Sequence, residues 1–261
     1  MTIDRFVDPD DGDADAPAEG FLASRTALVT GAARRVGRAL ALALAAEGAH
    51  VVIHHHTAVD EAKALAKEIR HRGGSADVLP GDLADAAVAR ALPARAAELS
   101  GNPLDILVNN AAGFVRADFA ATDAATWDRL HAVNLRAPFL LAQGFAAQLP
   151  AKWTGDIVNL NDARSLVGDP EHFAYAVAKV GLQGLTRNLA RALAPRIEVN
   201  EIALGAVLAP DAGDYLHTTR DELPAGRFPH LDEVISAMMF ILGTRGVSGQ
   251  TIRIDGGQFL A

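Results

Sequence analysis

The sequence predicts an α/β protein built on a single doubly wound parallel sheet, with helices packed on both of its faces. Short apolar segments typical of buried strands alternate along the chain with longer segments typical of helices. A glycine-containing turn follows the first of these strands and leads into a helix, which is the order of a nucleotide-binding β–α–β unit. The chain has 261 residues, 50% of them apolar, enough to enclose one large core. We therefore expect one domain.

The β–α–β unit lies near the start of the chain. Residues 26–30 predict a buried strand, 38–46 a helix rich in alanine and leucine, and 50–55 a second strand. Glycines in the turn at 31–37 allow the backbone to approach a pyrophosphate, which then rests on the positive N-terminus of the helix. This context predicts a dinucleotide site.

The alternation continues along the chain without an internal repeat. It predicts further strands at 76–79, 104–109, 156–160, 197–203 and 251–254, and helices at 84–99, 125–149 and 173–193. Strands that alternate with helices imply right-handed crossovers and a parallel sheet. The segment 209–229, which contains three prolines and mixed charge, is predicted to form a mobile lid over the crevice.

Composition excludes several functional classes. The chain has no cysteine, which excludes disulfides, thiol catalysis and metals held by cysteine. Its longest wholly apolar run, 39–46, is too short to span a bilayer, and its first residues lack the basic start and apolar core of a signal peptide. We expect a cytoplasmic protein without a membrane partner.

Charge is concentrated at the N-terminus. Residues 1–20 contain seven acidic side chains against Arg5, a net charge of −6 out of the total of −8, so the other 241 residues carry only −2. This segment is predicted to be a disordered acidic tail, with partner binding as the alternative. The nearly neutral domain, residues 21–261, argues against a nucleic-acid surface.

The strongest chemical signal is the spacing of Tyr175 and Lys179, with Asp162 thirteen residues before the tyrosine. Four residues are about one helical turn, so the phenol and the ammonium lie on one helix face. A nearby cation lowers the pKa of a tyrosine from about 10, which would make Tyr175 a proton donor to a carbonyl or an imine. The alternative is an exposed Tyr and Lys on an ordinary helix.

Together these motifs resemble the short-chain dehydrogenases/reductases over residues 24–261, and among them the pteridine reductases and dihydromonapterin reductases. The general family pattern Thr-Gly-x-x-x-Gly-x-Gly appears here with Arg35 in place of the middle glycine. Most of the family has serine where this chain has Asp162. Both departures are typical of the pteridine reductase group, whereas Leu204-Gly205 replaces the usual Pro-Gly.

The resemblance implies a Rossmann-like fold and a set of site residues. It assigns catalysis to Tyr175, Lys179 and Asp162, with Asn134 in a proton relay. It assigns substrate contacts to Phe114, Asp162, Tyr175 and Arg35, with the phenylalanine stacking a pterin against the nicotinamide; a core or lid phenylalanine is the alternative for Phe114. The implied cofactor contacts are Gly31, Arg34, Arg35, Val36, Gly37, His54, His55, His56, Asp82, Leu83, Asn110, Ala111, Ala112, Tyr175, Lys179 and Gly205.

The end of the second strand predicts NADPH rather than NADH. NAD-binding proteins usually place an acid there to hold the ribose 2′-hydroxyl, but this chain has His54, His55, His56 and Thr57. Arg35 and His56 can donate to a 2′-phosphate, although the pteridine reductases carry an arginine where Thr57 stands. A metal site is an alternative reading of the histidines, but alternation separates His55 from the other two and no further ligand cluster is evident. Three ordinary strand-end histidines are the third reading.

These observations predict an NADPH-dependent reductase that acts on a pterin-like C=N bond, without a metal. One alternative is an NADP(H)-dependent reductase or dehydrogenase of a ketone or alcohol, such as a sugar, a steroid or a 3-oxoacyl thioester. Another is a non-catalytic NADPH-binding sensor, although a sensor has no need for a proton relay. The resemblance also implies a homotetramer, with a homodimer as the alternative, because the equivalent helices pair across two-fold axes in the family. The natural substrate stays open.

Overall fold

In the computed structural model, residues 20–208 and 223–260 are described; the predicted acidic tail and most of the predicted lid lie outside these ranges. The described residues form one 7-stranded sheet in the order β3-β2-β1-β4-β5-β6-β7, and every neighbouring pair is parallel. The predicted doubly wound sheet is confirmed. Its strands are β1 Thr26–Val29, β2 His50–His55, β3 Ser75–Pro80, β4 Ile106–Asn109, β5 Gly155–Asp162, β6 Ile197–Leu204 and β7 Thr251–Ile254.

Helices cover both faces of the sheet, as expected for buried parallel strands. They are α1 Arg35–Ala46, α2 Val59–His71, α3 Ala86–Ser100, α4 Ala124–His131, α5 Ala137–Gln148, α6 Phe173–Leu193 and α7 Leu231–Gly243. Apolar residues of α1, α2 and α7 pack on one face of the sheet, and those of α3, α5 and α6 pack on the other. None of the described helices is long and apolar enough to cross a membrane.

Most element boundaries agree with the sequence-based predictions, with two omissions. Helices α2 and α7 have no predicted counterpart, although both carry acidic residues in the first turn, a charge that favours a helix N-terminus. Helix α1 begins at Arg35, three residues earlier than predicted, so its first turn includes part of the glycine turn. Strand β5 extends two residues further than predicted and ends at Asp162.

The prediction of one regular helix over 125–149 is wrong in its middle. Helix α4 passes at His131 into a π-helical turn, Ala132–Arg136, before α5 continues. Pro138 has no N–H to donate to the carbonyl of Asn134 four residues earlier, and the π turn lies just before this proline. Such turns concentrate at functional sites, and Asn134 lies inside this one.

The strand order defines where a ligand crevice forms. Strands β1 and β4 are neighbours in the sheet, and the chain leaves them towards opposite faces, through α1 on one and the α4–α5 segment on the other. In open parallel sheets a crevice opens at this switch point, outside the carboxyl ends of the strands. The predicted glycine turn and Asn110 lie at this edge, and so does Asp162 at the end of β5.

Candidate active site

A cleft of about 1080 Å³ lies at the carboxyl ends of the central strands. This volume is at the upper end of ligand pockets and suits an extended ligand. The cleft brings together nearly all the site residues predicted from the sequence; the two exceptions are His55 and Asn134. The lining includes Gly31, Arg34, Arg35, Val36, Gly37, His54, His56, Asp82, Leu83, Asn110, Ala111, Ala112, Phe114, Asp162, Tyr175, Lys179 and Gly205.

The turn between β1 and α1 requires its two glycines for different reasons. Gly31 has φ +62°, and a Cβ there would lie 2.9 Å from the Ala111 Cα. A Cβ on Gly37 would lie 2.4 Å from the side-chain nitrogen Nδ2 of Asn110 and 2.6 Å from the Gly31 carbonyl oxygen. Asn110 in turn donates to the carbonyls of Thr30 and Gly31 at 2.8 and 3.1 Å. The end of β4 therefore holds the turn in place.

Arg35 occupies the position at which the general family pattern has glycine. Its φ is +52°, in the left-handed region where a non-glycine residue is uncommon. The backbone of Arg35 thus adopts a conformation that suits glycine, and its guanidinium side chain lines the cleft. Strain of this kind persists where the surrounding structure enforces it, often at ligand-binding sites.

His54 is a structural residue at the floor of the cleft. The Gly31 amide donates to its Nδ1 at 3.2 Å, so Nε2 carries the proton and donates to the Gly81 carbonyl at 3.2 Å. Burial lowers the pKa of His54 to about 4, which keeps the imidazole neutral at pH 7. Because both ring nitrogens are engaged, neither is available to a metal, and no group of three metal-ligating side chains occurs in the described ranges.

The predicted cofactor contact of His55 is not supported by its position. Successive strand residues point to opposite faces of a sheet, and His55 follows His54, which faces the cleft. His55 is 3% exposed and is absent from the cleft lining. His55 is instead buried at the end of β2, outside the cleft lining.

Charged groups gather at the far end of the cleft. His56 lies 3.8 Å and Arg129 lies 3.6 Å from the Asp82 carboxylate. The Ala84 amide donates to Asp82, and this bond is the main cause that lowers the pKa of its carboxyl group. Arg34 pairs with Glu61 on α2. This end of the cleft therefore offers guanidinium groups and the His56 imidazole beside the Asp82 carboxylate.

Tyr175, Asp162 and Lys179 meet where β5 ends beside α6. The Tyr175 hydroxyl donates to Asp162 Oδ2 at 3.1 Å, while Oδ1 accepts from the amides of Arg164 and Ser165 at 2.9 and 3.2 Å. The Lys179 ammonium lies 5.7 Å from the centre of the Tyr175 ring and donates to the Leu160 carbonyl at 2.7 Å. The predicted side-by-side arrangement is confirmed.

The predicted lowering of the tyrosine pKa is wrong for this arrangement. Burial is the largest effect and the negative charge of Asp162 the next; both raise the pKa of Tyr175, which lies well above its ordinary value. Burial also lowers the pKa of Lys179, to about 8, against the opposing effect of Asp162 and Glu201. The phenol is therefore protonated at pH 7 and hydrogen-bonded to a carboxylate.

Asn134 lies beneath the cleft rather than in its lining. Its Oδ1 accepts from the Gly113 amide at 3.0 Å, and its Nδ2 donates to the Gly113 carbonyl at 2.9 Å. Its side chain thus fixes the segment that precedes Phe114. This segment leads from the end of β4 into the wall of the cleft.

Three residues that line or support the wall near Phe114 were missed by the sequence analysis. His172 stacks on Phe114 with ring centres 4.3 Å apart, and the Tyr175 ring meets Phe114 edge-on at 4.8 Å. Asp169 accepts from His172 Nδ1 at 2.9 Å and from Arg164 at 3.1 Å. His172 lies three residues before Tyr175 near the start of α6, a helical spacing that could have indicated a shared face; Asp169 and Arg164 lie in a loop without a motif.

With this geometry established, comparison with known proteins identifies the family. The model of the short chain dehydrogenase family matches residues 25–219. The chain belongs to this family. It is an oxidoreductase, and the family resemblance read from the glycine turn and the Tyr175–Lys179 pair is confirmed.

Individual members of the family with different activities are similar to the chain. The structure of the FolM alternative dihydrofolate reductase 1 from Brucella canis, complexed with NADP, is 39% identical, covers 92% of this chain and 96% of that chain, and gives a TM-score of 0.85. A blue fluorescent protein from a metagenomic library, in complex with NADPH, is 30% identical with a TM-score of 0.83 and covers 92% and 99%. The 3-oxoacyl-[acyl-carrier-protein] reductase FabG of Staphylococcus aureus is 32% identical over 246 residues, 91% of this chain and 99% of that protein.

Proposed function

We propose that this protein is an NADPH-dependent reductase of a pterin-like C=N bond. The observation that carries the proposal is the carboxylate of Asp162 in hydrogen-bond contact with the Tyr175 hydroxyl, at the position where most of the family has serine. The Phe114 ring beside them is half-exposed, and since His172 stacks on one side of it, the exposed part is what would contact a flat substrate. The similarity to FolM, at 39% identity, supports the same substrate class.

The cleft residues fit a dinucleotide with a 2′-phosphate. The glycine turn is packed against Asn110 and Ala111 and leads into the N-terminus of α1, where the backbone N–H groups of a helix favour a phosphate. Arg34, Arg35 and His56 line the cleft near the end of β2, and the second strand ends without a carboxylate of its own. Guanidinium groups suit phosphate recognition, which supports NADPH over NADH. The complexes of similar proteins with NADP and with NADPH also support this cofactor preference.

Asp162 would select the substrate through its acceptor capacity. Its Oδ1 is occupied by two backbone amides, whereas Oδ2 contacts only the Tyr175 hydroxyl among the described residues. A carboxylate oxygen accepts more than one hydrogen bond, so Oδ2 can also accept from an amino group or a ring N–H. A pterin carries such donors next to one another; a plain ketone carries none.

The chemical roles follow from the positions of Tyr175 and Lys179. NADPH, when bound, supplies the hydride for the ring carbon of the C=N bond. Tyr175 is held protonated by burial and by Asp162, so it can donate its proton to the ring nitrogen. The Lys179 ammonium, anchored by the Leu160 carbonyl, supplies the positive charge that stabilises the phenolate left behind.

A 3-oxoacyl thioester reductase is the second candidate, and the similarity to FabG at 32% identity favours it. The fold and the Tyr175–Lys179 pair serve both reactions equally. The carboxylate of Asp162 distinguishes the two reactions. Its negative charge beside Tyr175 opposes phenolate formation, and the ketone of a 3-oxoacyl thioester has no hydrogen-bond donor that could offset this charge. A sensor without catalysis is less compatible with the intact Tyr175, Lys179 and Asp162 arrangement.

We also propose that the protein forms a homotetramer. Phe139 on α5 is 40% exposed, and Val177 and Val180 on α6 are 39% and 49% exposed. Val177 and Val180 are three residues apart and share one helix face. These apolar residues lie on the helices that pair across two-fold axes in the family, and symmetric closed assemblies are the norm for such chains.

The substitution Asp162→Ser tests the substrate class. For a dihydropterin, kcat/KM with NADPH should fall about a hundredfold or more, because donors of the substrate lose their acceptor inside the pocket. For a ketone the same change should be neutral or beneficial, since removal of the carboxylate lowers the pKa of Tyr175. Asp85→Ser is the matched control, because Asp85 caps α3 and does not line the cleft, and serine also caps helices. A gain in ketone turnover with no dihydropterin activity in either form would refute the proposal.

A further inference from the structure

A buried carboxylate lies beneath the catalytic residues, on β6. Glu201 is 0% exposed. Its Oε2 accepts from the Asn161 amide group at 2.8 Å, and its Oε1 accepts from the Thr251 hydroxyl at 3.0 Å. The Thr186 hydroxyl lies 3.4 Å from Oε2, but it also lies 2.9 Å from the Leu182 carbonyl, a shorter bond within its own helix. The Asn161 amide group and the Thr251 hydroxyl donate to the two carboxylate oxygens, which favours the ionised form, whereas burial is the largest effect and raises the pKa of Glu201.

Asn161 connects Glu201 to both catalytic segments. Its Nδ2 donates to the Lys179 carbonyl at 3.0 Å as well as to Glu201. Its Oδ1 accepts from the Asp162 amide at 2.9 Å. One side chain thus joins the turn of α6 that carries the lysine, the end of β5 that carries Asp162, and the carboxylate on β6.

The Lys179 ammonium is buried and hydrogen-bonded to a neutral group. The residue is 4% exposed, and its ammonium donates to a neutral carbonyl rather than to an anion. Burial of an uncompensated cation is costly, so nearby anions decide whether it keeps its charge. Around it lie Tyr175 on its own helix, Asp162 on β5 and Glu201 on β6. Asp162 has the larger effect on the pKa of the lysine and Glu201 the smaller one; Asp162 is also hydrogen-bonded to Tyr175.

We propose that Glu201 is a second, fully buried counter-charge of Lys179, beside Asp162, and that, through Asn161, it fixes the lysine and Asp162 relative to each other. It is a positioning residue and contacts no reactant. Its charge acts on the ammonium through the protein interior, where electrostatic effects are stronger than in water. Both carboxylates favour the charged ammonium of Lys179. Asp162 also contacts Tyr175 and lines the cleft, whereas Glu201 is fully buried.

The consequence for the reaction rests on the proposed function, which gives Lys179 its catalytic role. Turnover requires the protonated ammonium, so activity is lost as pH rises through the pKa of Lys179, about 8. Without the charge of Glu201, burial acts with less opposition and the pKa of the lysine falls. The loss of activity then begins at lower pH.

The direct test is NMR titration of lysine in the full-length protein, which needs neither substrate nor cofactor. The chain has four lysines, Lys63, Lys67, Lys152 and Lys179, so ¹³Cε labelling gives a readable spectrum, and Lys179→Arg assigns the signal of Lys179. Glu201→Gln should lower the pKa of Lys179 by about one unit or more, as expected when an opposite charge is removed from a buried pair. The high-pH limit of kcat/KM should move down by the same amount.

Two further variants separate charge from packing. Glu201→Asp keeps the charge and should leave the pKa of Lys179 nearer to the wild-type value than Glu201→Gln does. Glu198→Gln makes the same change of charge three residues earlier on β6, beside Arg245, and should leave Lys179 unchanged. An unchanged pKa in Glu201→Gln, or equal shifts in the Gln and Asp variants, would overturn the proposal. If Glu201→Gln does not fold, the wild-type titration decides: a Lys179 already neutral at pH 7 contradicts it.

Discussion

At the scale of single residues, the site differs from the general family in charge. Asp162 adds a carboxylate within hydrogen-bond distance of the Tyr175 hydroxyl, and together with burial it keeps the phenol protonated. A phenolate formed next to this carboxylate is unfavourable unless the bound substrate brings compensating donors. The electrostatics of the free site therefore favour a substrate rich in N–H groups.

Arg35 is the second residue at which the chain departs from the family, and it should determine cofactor preference. Arg35→Ala should weaken NADPH binding about tenfold or more and leave NADH binding nearly unchanged, because a hydrogen bond to a charged group contributes about 1.5–3 kcal/mol. Alanine keeps a Cβ at the positive φ, so the backbone strain stays the same. Fluorescence titration of both cofactors measures the effect.

The control for this measurement is Arg72→Ala. Arg72 follows α2 and pairs with Glu68 on the surface, outside the cleft. This variant should bind both cofactors as the wild type does. Equal losses of NADPH and NADH affinity in Arg35→Ala would show that the guanidinium does not bind the 2′-phosphate.

At the scale of helices, the segment from α4 to α5 and helix α6 serve two purposes. Their inner residues build the site: Asn134 in the π turn holds Gly113, and Tyr175 and Lys179 line the cleft. Their outer faces expose apolar side chains, Phe139 on one and Val180 on the other. Association through these faces would stabilise the same helices that hold the catalytic residues.

The proposed assembly predicts a mass of about 109 kDa by light scattering at micromolar concentration, four times the chain mass of 27.3 kDa. Val180→Glu should reduce this mass, because burying an unpaired charge in an interface is unfavourable. Val59→Glu is the matched control, since Val59 is 42% exposed on α2 and lies outside the proposed contact. A wild-type mass equal to one or two chains of 27.3 kDa would exclude the tetramer.

At the scale of the whole molecule, sequence reasoning located the sheet and most of the cleft because these depend on local patterns. Strand and helix periodicity, two glycines and a four-residue spacing were enough to place Gly31, Gly37, Tyr175 and Lys179 together. The π turn escaped prediction, because its backbone depends on how Pro138 is accommodated within a continuous helical pattern.

The rest of the site depends on contacts between distant segments. Glu201 reaches Asn161 across 40 residues of sequence, and His172 finds Phe114 only when α6 docks against the end of β4. The pKa of Tyr175 was predicted in the wrong direction because burial, which local sequence does not reveal, is its largest cause. Spacing identified the residues, and tertiary structure determined their chemistry.

The most direct test of the central claim is the steady-state kcat/KM of the wild-type protein for a panel of substrates. The panel contains 7,8-dihydrobiopterin, dihydrofolate, a simple ketone and a 3-oxoacyl thioester, each measured with NADPH and with NADH. We predict that NADPH supports reduction of a dihydropterin with kcat/KM on the order of 10⁴ M⁻¹s⁻¹ or more, within the usual range of enzymes, and at least about tenfold above the ketone and the thioester. Efficient reduction of the thioester or the ketone, with no turnover of either dihydropterin or dihydrofolate, would contradict the assignment.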